Sequence, residues 1–132
     1  MSRLLKTIVA ASMVAGFTLS ASAESRVSIV WHCHYKEGKG PQDLLAINGK
    51  WLKLARTKVK GGDLNSYLEN AVFGKIGHFV FVDSYPSLSA YEDVRKWMMS
   101  SDEGKAIEAE FNAASECKKN EVYDSWETMP AK

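Results

Sequence analysis

The chain has 132 residues, with 17 Lys plus Arg against 16 Asp plus Glu and a formal net charge of +1. A balance this even carries no basic patch or stripe of the kind that marks a nucleic-acid binder. The length limits the protein to one domain with one modest core.

Residues 1–23 read as a signal peptide. Arg3 and Lys6 give a charged start without an acid, residues 8–19 are largely apolar, and Ala21-Ser22-Ala23 supplies the small residues of a cleavage site. The apolar run is shorter than the roughly 20 residues that cross a bilayer comfortably; an uncleaved anchor is the alternative. No Cys stands at the cleavage point, which argues against a lipoprotein. Cleavage after Ala23 leaves residues 24–132 as a single domain, with 15 basic residues against 16 acidic ones. The mature product is expected in the periplasm or outside the cell, with no membrane insertion.

The first element of that domain is a strand over residues 27–35. Val27, Ile29, Trp31, Cys33 and Tyr35 alternate with Ser28, Val30, His32 and His34, the period of two that strands show. Two glycines and a proline in residues 36–41 make a turn. A helix is predicted over residues 42–59, with Leu44, Ile47, Trp51 and Leu54 as its buried stripe. Gly61-Gly62-Asp63 ends it. A weaker strand follows at 66–73, a reversal at 74–77, and a strong strand at 78–85, together a hairpin. Ser89 with Glu92 fits a capping box for the next helix, whose apolar face is Leu88, Tyr91, Val94 and Met98. Trp97 falls off that stripe and is expected to be partly exposed. Ser100 with Glu103 repeats the box before a further helical stretch, 105–117. Residues 120–126 form the last strand.

The order is β-α-β-β-α-β, the ferredoxin-like split arrangement of an α+β domain. It places an antiparallel sheet under helices and leaves the other sheet face open, and an open apolar face commonly marks an interaction. The odd-numbered face of the first strand, including Cys33, should meet the helices, joined by Phe79 and Phe81. Two cysteines in an exported chain suggest a disulfide between Cys33 and Cys117. Closing so long a loop is worth roughly 4 kcal/mol on the chain-entropy model. Two unpaired buried thiols are the alternative, and no C-x-x-C pair suggests catalysis or metal. The same parity puts Val30, His32 and His34 on the open face, with His78 and Val80 beside them.

Residues 81–91, Phe81-Val82-Asp83-Ser84-Tyr85-Pro86-Ser87-Leu88-Ser89-Ala90-Tyr91, followed by Ser100-Ser101-Asp102-Glu103-Gly104, resemble the strand-to-helix junction of the dimeric α+β barrel proteins. That group includes antibiotic-biosynthesis-monooxygenase-like, NIPSNAP-like and stress-responsive domains. The signal peptide, the strand cysteine and Ser115-Glu116-Cys117 are similar to small exported bacterial proteins of unassigned function. The resemblance covers residues 27–126. It implies a homodimer in which two chains pair through their open sheet faces into a barrel, with a pocket in each half. Members include cofactor-independent oxygenases, haem-binding enzymes and proteins without catalysis, and no subfamily's catalytic motif is matched here.

His32-Cys33-His34 is an H-x-H on a strand, so both imidazoles share a face. With His78 they supply three nitrogens, a set that zinc or copper accepts and that haem iron also uses. The plainer reading is that they line an interface or meet solvent, with no cofactor required. Asp83 and Glu69 are strand acids. Each is a candidate for general acid–base work or for a salt bridge at a strand end or interface. Trp31, Tyr35 and Trp51 read as core, and Met98 and Met99 as packing. Two functions follow. One is a homodimer binding a small, partly apolar ligand in a barrel pocket near His32, His34, His78, Val30 and Val80. The other is an oxygenase-like enzyme, cofactor-independent or using metal or haem, with the three histidines in the pocket.

Overall fold

A computed structural model describes residues 25–128; the predicted signal segment and its cleavage site at Ala23 lie outside the described residues. The elements are β1 (Arg26–Tyr35), α1 (Pro41–Arg56), a 3₁₀ turn (Lys60–Gly62), β2 (Asn65–Asn70), β3 (His78–Tyr85), α2 (Leu88–Ser100), α3 (Asp102–Ala114) and β4 (Ser115–Ser125). The sheet order is β2-β3-β1-β4, and every neighbouring pair is antiparallel. This is the expected ferredoxin-like α+β topology, with the second helical layer broken in two.

The parity of the sequence carries into the sheet. Trp31 stands opposite Phe81, Ile29 opposite Asp83 and Val27 opposite Tyr85. Residues directly opposite in an antiparallel pair share a face, so these all point toward the helices. There Ile29, Trp51, Leu64, Tyr85, Val94, Trp97 and Ile107 bury together, and Cys33, Leu44, Phe79, Phe81 and Ala114 form a second cluster. Val30 opposite Val82, His32 opposite Val80 and His34 opposite His78 take the other face.

Several boundaries move for local reasons. Proline sits at the first helical position of α1, where its missing N–H costs nothing. The predicted capping boxes shift: Ser87 Oγ accepts from the Ala90 N–H at 3.2 Å, and Ser101 Oγ from the Gly104 N–H at 3.0 Å. Ser101 both ends α2 and caps α3, so the two helices meet at a corner one residue long. Trp97, expected to be partly exposed, is buried there, because α3 packs on the flank of α2 and the Lys58 ammonium lies 5.5 Å from the ring centre. Helix α3 stops at Ala114, and β4 begins five residues before the predicted position. Cys117 therefore lies inside a strand rather than at a helix end.

The disulfide joins Cys33 to Cys117 across β1 and β4. In the register that runs from Arg26 to His32, the residue opposite Cys33 would be Lys118. A bulge between His32 and Cys33 skips Lys118 and sets Cys117 opposite Cys33. One extra residue on one strand is the usual content of a bulge, and here it decides whether the bond forms.

Gly104 is the tightest point of the helix layer. A Cβ built there would lie 2.5 Å from the Met98 Cα and 2.6 Å from its carbonyl oxygen. Those are backbone atoms that no side-chain rotation moves. Gly104→Ala is expected to separate α2 from α3 and lower stability by about 1–3 kcal/mol, measured as a lower midpoint in chemical denaturation. An unchanged midpoint would show that the corner can open without cost.

Candidate functional site

The residue that the helix-facing pattern of β3 does not explain is Asp83. Along the strand the inward positions are Phe79, Phe81, Asp83 and Tyr85. Three are aromatic and one is a carboxylic acid that is only 6 % exposed. Among the described residues no Lys or Arg makes a salt bridge to it. It is held instead by neutral donors. Ser66, directly opposite on β2, donates its hydroxyl to Asp83 Oδ1 at 2.5 Å, and the Trp31 side chain also favours the charged carboxyl. Asn48 donates from Nδ2 to Ser66 Oγ at 3.0 Å, which turns the Ser66 proton toward the acid. Burial pushes Asp83 up to about 7, while Ser66 and Trp31 pull the other way. The phenol of Tyr85 is also raised, by burial first and then by the neighbouring Asp83 charge.

This group lies on a cavity of about 510 Å³ between the sheet and the helices, within the range of small-molecule sites. Its aromatic walls are Trp31, Trp51, Phe81, Tyr85, Tyr91 and Phe111. Asn48 and Asp83 are polar groups on it, and Asn112 and Asn120 line it further along. Arg95 and Glu108, both exposed in their helices, also line it, with Met98 and Met99 beside them. Each element supplies one part of this arrangement. Strand β1 gives Trp31 and β3 gives Phe81, Asp83 and Tyr85, while α1 gives Asn48 and Trp51 one turn apart.

The histidines lie on the opposite face of the sheet. His34 and His78 are neighbours, with ring centres 5.9 Å apart. His34 Nε2 is 3.3 Å from Glu116, and His32 Nε2 is 2.9 Å from Glu121. Glu121 also takes Lys119 at 2.5 Å and the Tyr123 hydroxyl at 2.8 Å. These donors, Lys119 first, then Tyr123 and His32, hold its carboxyl down at about 2. His32 is thus engaged by a carboxylate from β4, as His34 is by another. Among the described residues no group of three or more His, Cys, Asp or Glu side chains is placed to hold a metal ion. None of His32, His34, His78, Val30 or Val80 lines the cavity. Glu69, opposite Val80 on the edge strand, is exposed.

Two of the cavity's polar residues had a signal in the sequence. Asn48 interrupts the stripe Leu44, Trp51, Ala55 at helical spacing, and Asp83 interrupts an alternating aromatic strand. A polar residue on an apolar face is the observation that asks for an explanation. Trp31 and Trp51, read as core, are cavity walls as well.

No family model matches the chain, and no curated protein is similar to it in sequence. The fold has clear counterparts among solved structures. SnoaB, a cofactor-independent oxygenase from Streptomyces nogalater, superposes with a TM-score of 0.60 at 10% identity, over 81% of this chain and 99% of that one. A NIPSNAP family protein of unknown function from Agrobacterium tumefaciens gives 0.62 at 15% identity, over 81% and 94%. A conserved protein from Bacteroides thetaiotaomicron, described as a possible oxidoreductase, gives 0.50 at 9% identity, over 78% and 100%. The chain has the fold of the group that its strand-to-helix junction resembles. At these identities the likeness concerns the fold.

The raised carboxyl has a thermodynamic signature. Asp83 ionises near pH 3.8 in the unfolded chain and near 7 in the folded one. Between those values the folded state holds the extra proton, so this group's contribution to stability falls as pH rises from about 4 to about 7 and is level above. The total is on the order of 4 kcal/mol. Asp83→Asn removes that slope. Urea unfolding at pH 4.5, 6 and 8 is expected to show the variant gaining on the wild type with each step up in pH; a difference independent of pH would contradict the assignment.

Proposed function

We propose that this protein is an exported homodimer that binds a small, partly apolar molecule in the cavity between its sheet and its helices. The observation that carries the reading is a cavity of about 510 Å³ with aromatic walls and a buried acid that has no cationic partner among the described residues. Apolar lining with a few convergent polar groups and a perturbed carboxyl is the usual composition of a binding site.

Export is supported by the signal pattern of residues 1–23 and by the disulfide, which persists in oxidising compartments. No helix among the described residues is long and apolar enough to cross a membrane. Dimer formation is supported by the half-buried Val30, Val80 and Val82 on the open sheet face, the surface through which the resembled group pairs. In that dimer His32, His34 and His78 face the partner sheet and belong to the interface, where a metal shared between chains is the remaining form of the three-histidine expectation.

Native mass spectrometry of the mature protein is expected to give twice the chain mass, and Val30→Asp, which sets a charge in the middle of the open face, to give one. A wild-type protein that stays monomeric at high concentration would remove the dimer from the reading. Ligand binding is read by an added mass or a raised melting temperature with small aromatic compounds, lost when Trp51→Ala opens the wall.

A second reading, an oxygenase-like enzyme, draws on one specific feature: Asp83 changes charge near neutral pH at the cavity, as a general base needs to. The fold shared with SnoaB fits it. Oxygen uptake in the presence of a panel of phenols and hydroquinones, abolished in Asp83→Asn, is the expected result. No uptake with any of them would leave the binding role alone.

A further inference from the structure

Resting on the cavity as the binding site, we infer that its ligand is an organic cation, an amine carried on a flat apolar body, whose charge is met by the Asp83 carboxylate and the surrounding aromatic faces. The argument starts from how Asp83 is held. The Ser66 hydroxyl bonded to it and the Trp31 side chain beside it both lower its tendency to take a proton, because a donor favours the charged form of an acid. A carboxyl kept neutral in order to donate would be given acceptors instead. Asn48, by donating to Ser66, fixes that hydroxyl as a donor toward the acid. The site is thus built to hold a negative charge, yet no cation within the described chain pairs with it, and burial outweighs the donors and leaves the acid at about 7.

A buried carboxylate without a partner is costly, and the cost is relieved when an opposite charge arrives with good geometry. The walls suit such a charge. Trp31, Trp51, Tyr85 and Tyr91 line it, and the faces of aromatic rings attract cations. The other charged groups lining the cavity are Arg95 and Glu108, which offset one another and leave the single charge of Asp83. An anion would meet that charge, and a neutral ligand would leave it uncompensated.

Three molecules of nearly the same shape separate the possibilities: 1-naphthylmethylamine, 1-naphthylmethanol and 1-naphthoate. Isothermal titration of the mature protein at pH 8 is expected to show the amine binding at least tenfold tighter than the alcohol, with the carboxylate weakest. Below pH 7 the amine must displace a proton from Asp83, so its affinity is expected to fall about tenfold per pH unit and to level off above 7. Asp83→Asn should bind amine and alcohol alike. Ser66→Ala, which leaves the acid in place but removes a donor, should move the midpoint of that pH dependence upward; a merely structural role for Ser66 would weaken all three ligands without moving it. Alcohol binding as tight as the amine, or amine affinity that rises as pH falls, would overturn the cation while leaving the cavity as a binding site. Failure of all three to bind would overturn both.

Discussion

The pairing of β1 with β3 is the constraint on which the rest of the molecule depends. These two strands form the middle of the sheet, and their register runs unbroken from Val27 opposite Tyr85 to His34 opposite His78. Side chains alternate between faces with a period of two, so a slip of one residue would exchange the two faces of a strand completely. It would carry Phe79, Phe81 and Tyr85 into solvent and bring His78, Val80, Val82 and Ser84 under the helices. The apolar weight of the inward set makes that slip prohibitive. Once the register is fixed, Asp83 has no choice but to face the helices, although as an isolated residue it would be more stable in water.

The cost of that placement is visible in its surroundings. Asp83 is among the few polar residues of the described chain that are buried, together with Ser28, Asn48 and Ser115, and no buried side-chain polar atom among them lacks a partner. Donors that favour the charge act against a burial that opposes it. A fully apolar residue at this position would pack against Ile29, its cross-strand neighbour, without that conflict. Features that work against stability while remaining fully hydrogen-bonded tend to gather where a protein does something. Here the feature coincides with the cavity between the sheet and the helices.

The fourth strand illustrates a different kind of constraint. β4 follows β1 in simple register for seven pairs and then loses one residue at Lys118. The bulge lets Cys117 share the helix-facing side with Cys33, and the resulting bond ties the strand that forms one edge of the sheet to its centre. Cys117 and Ser115 border the cavity, so the same device that closes a long loop also fixes one end of the candidate site. At the start of β1 Arg26 ties three segments together, donating to Ser84 Oγ at 2.8 Å, to the Ser84 carbonyl at 3.0 Å and to Asp63 at 2.7 Å.

Much of the fold was legible in the residues because the signals were periodic. The alternation of residues 27–35 and 78–85 and the helical stripe of Leu44 and Trp51 are properties of neighbours in the chain, and they determined the topology and the two sheet faces. What the sequence could not determine was set by contacts between distant segments. Trp97 became buried because α3 folds back beside it, which Gly104 permits. Cys117 met Cys33 through a bulge that no local pattern announces. The histidines, grouped correctly on one face, were divided by carboxylates from β4, since Glu116 and Glu121 reach them only after that strand is paired. The cavity itself exists only as the space left between a sheet and three helices. The sequence by itself determined that an acid stands among aromatics on the inward side of a strand; only the tertiary structure decided that it opens on a cavity, because the shape of a void depends on every element around it and is encoded in none of them singly.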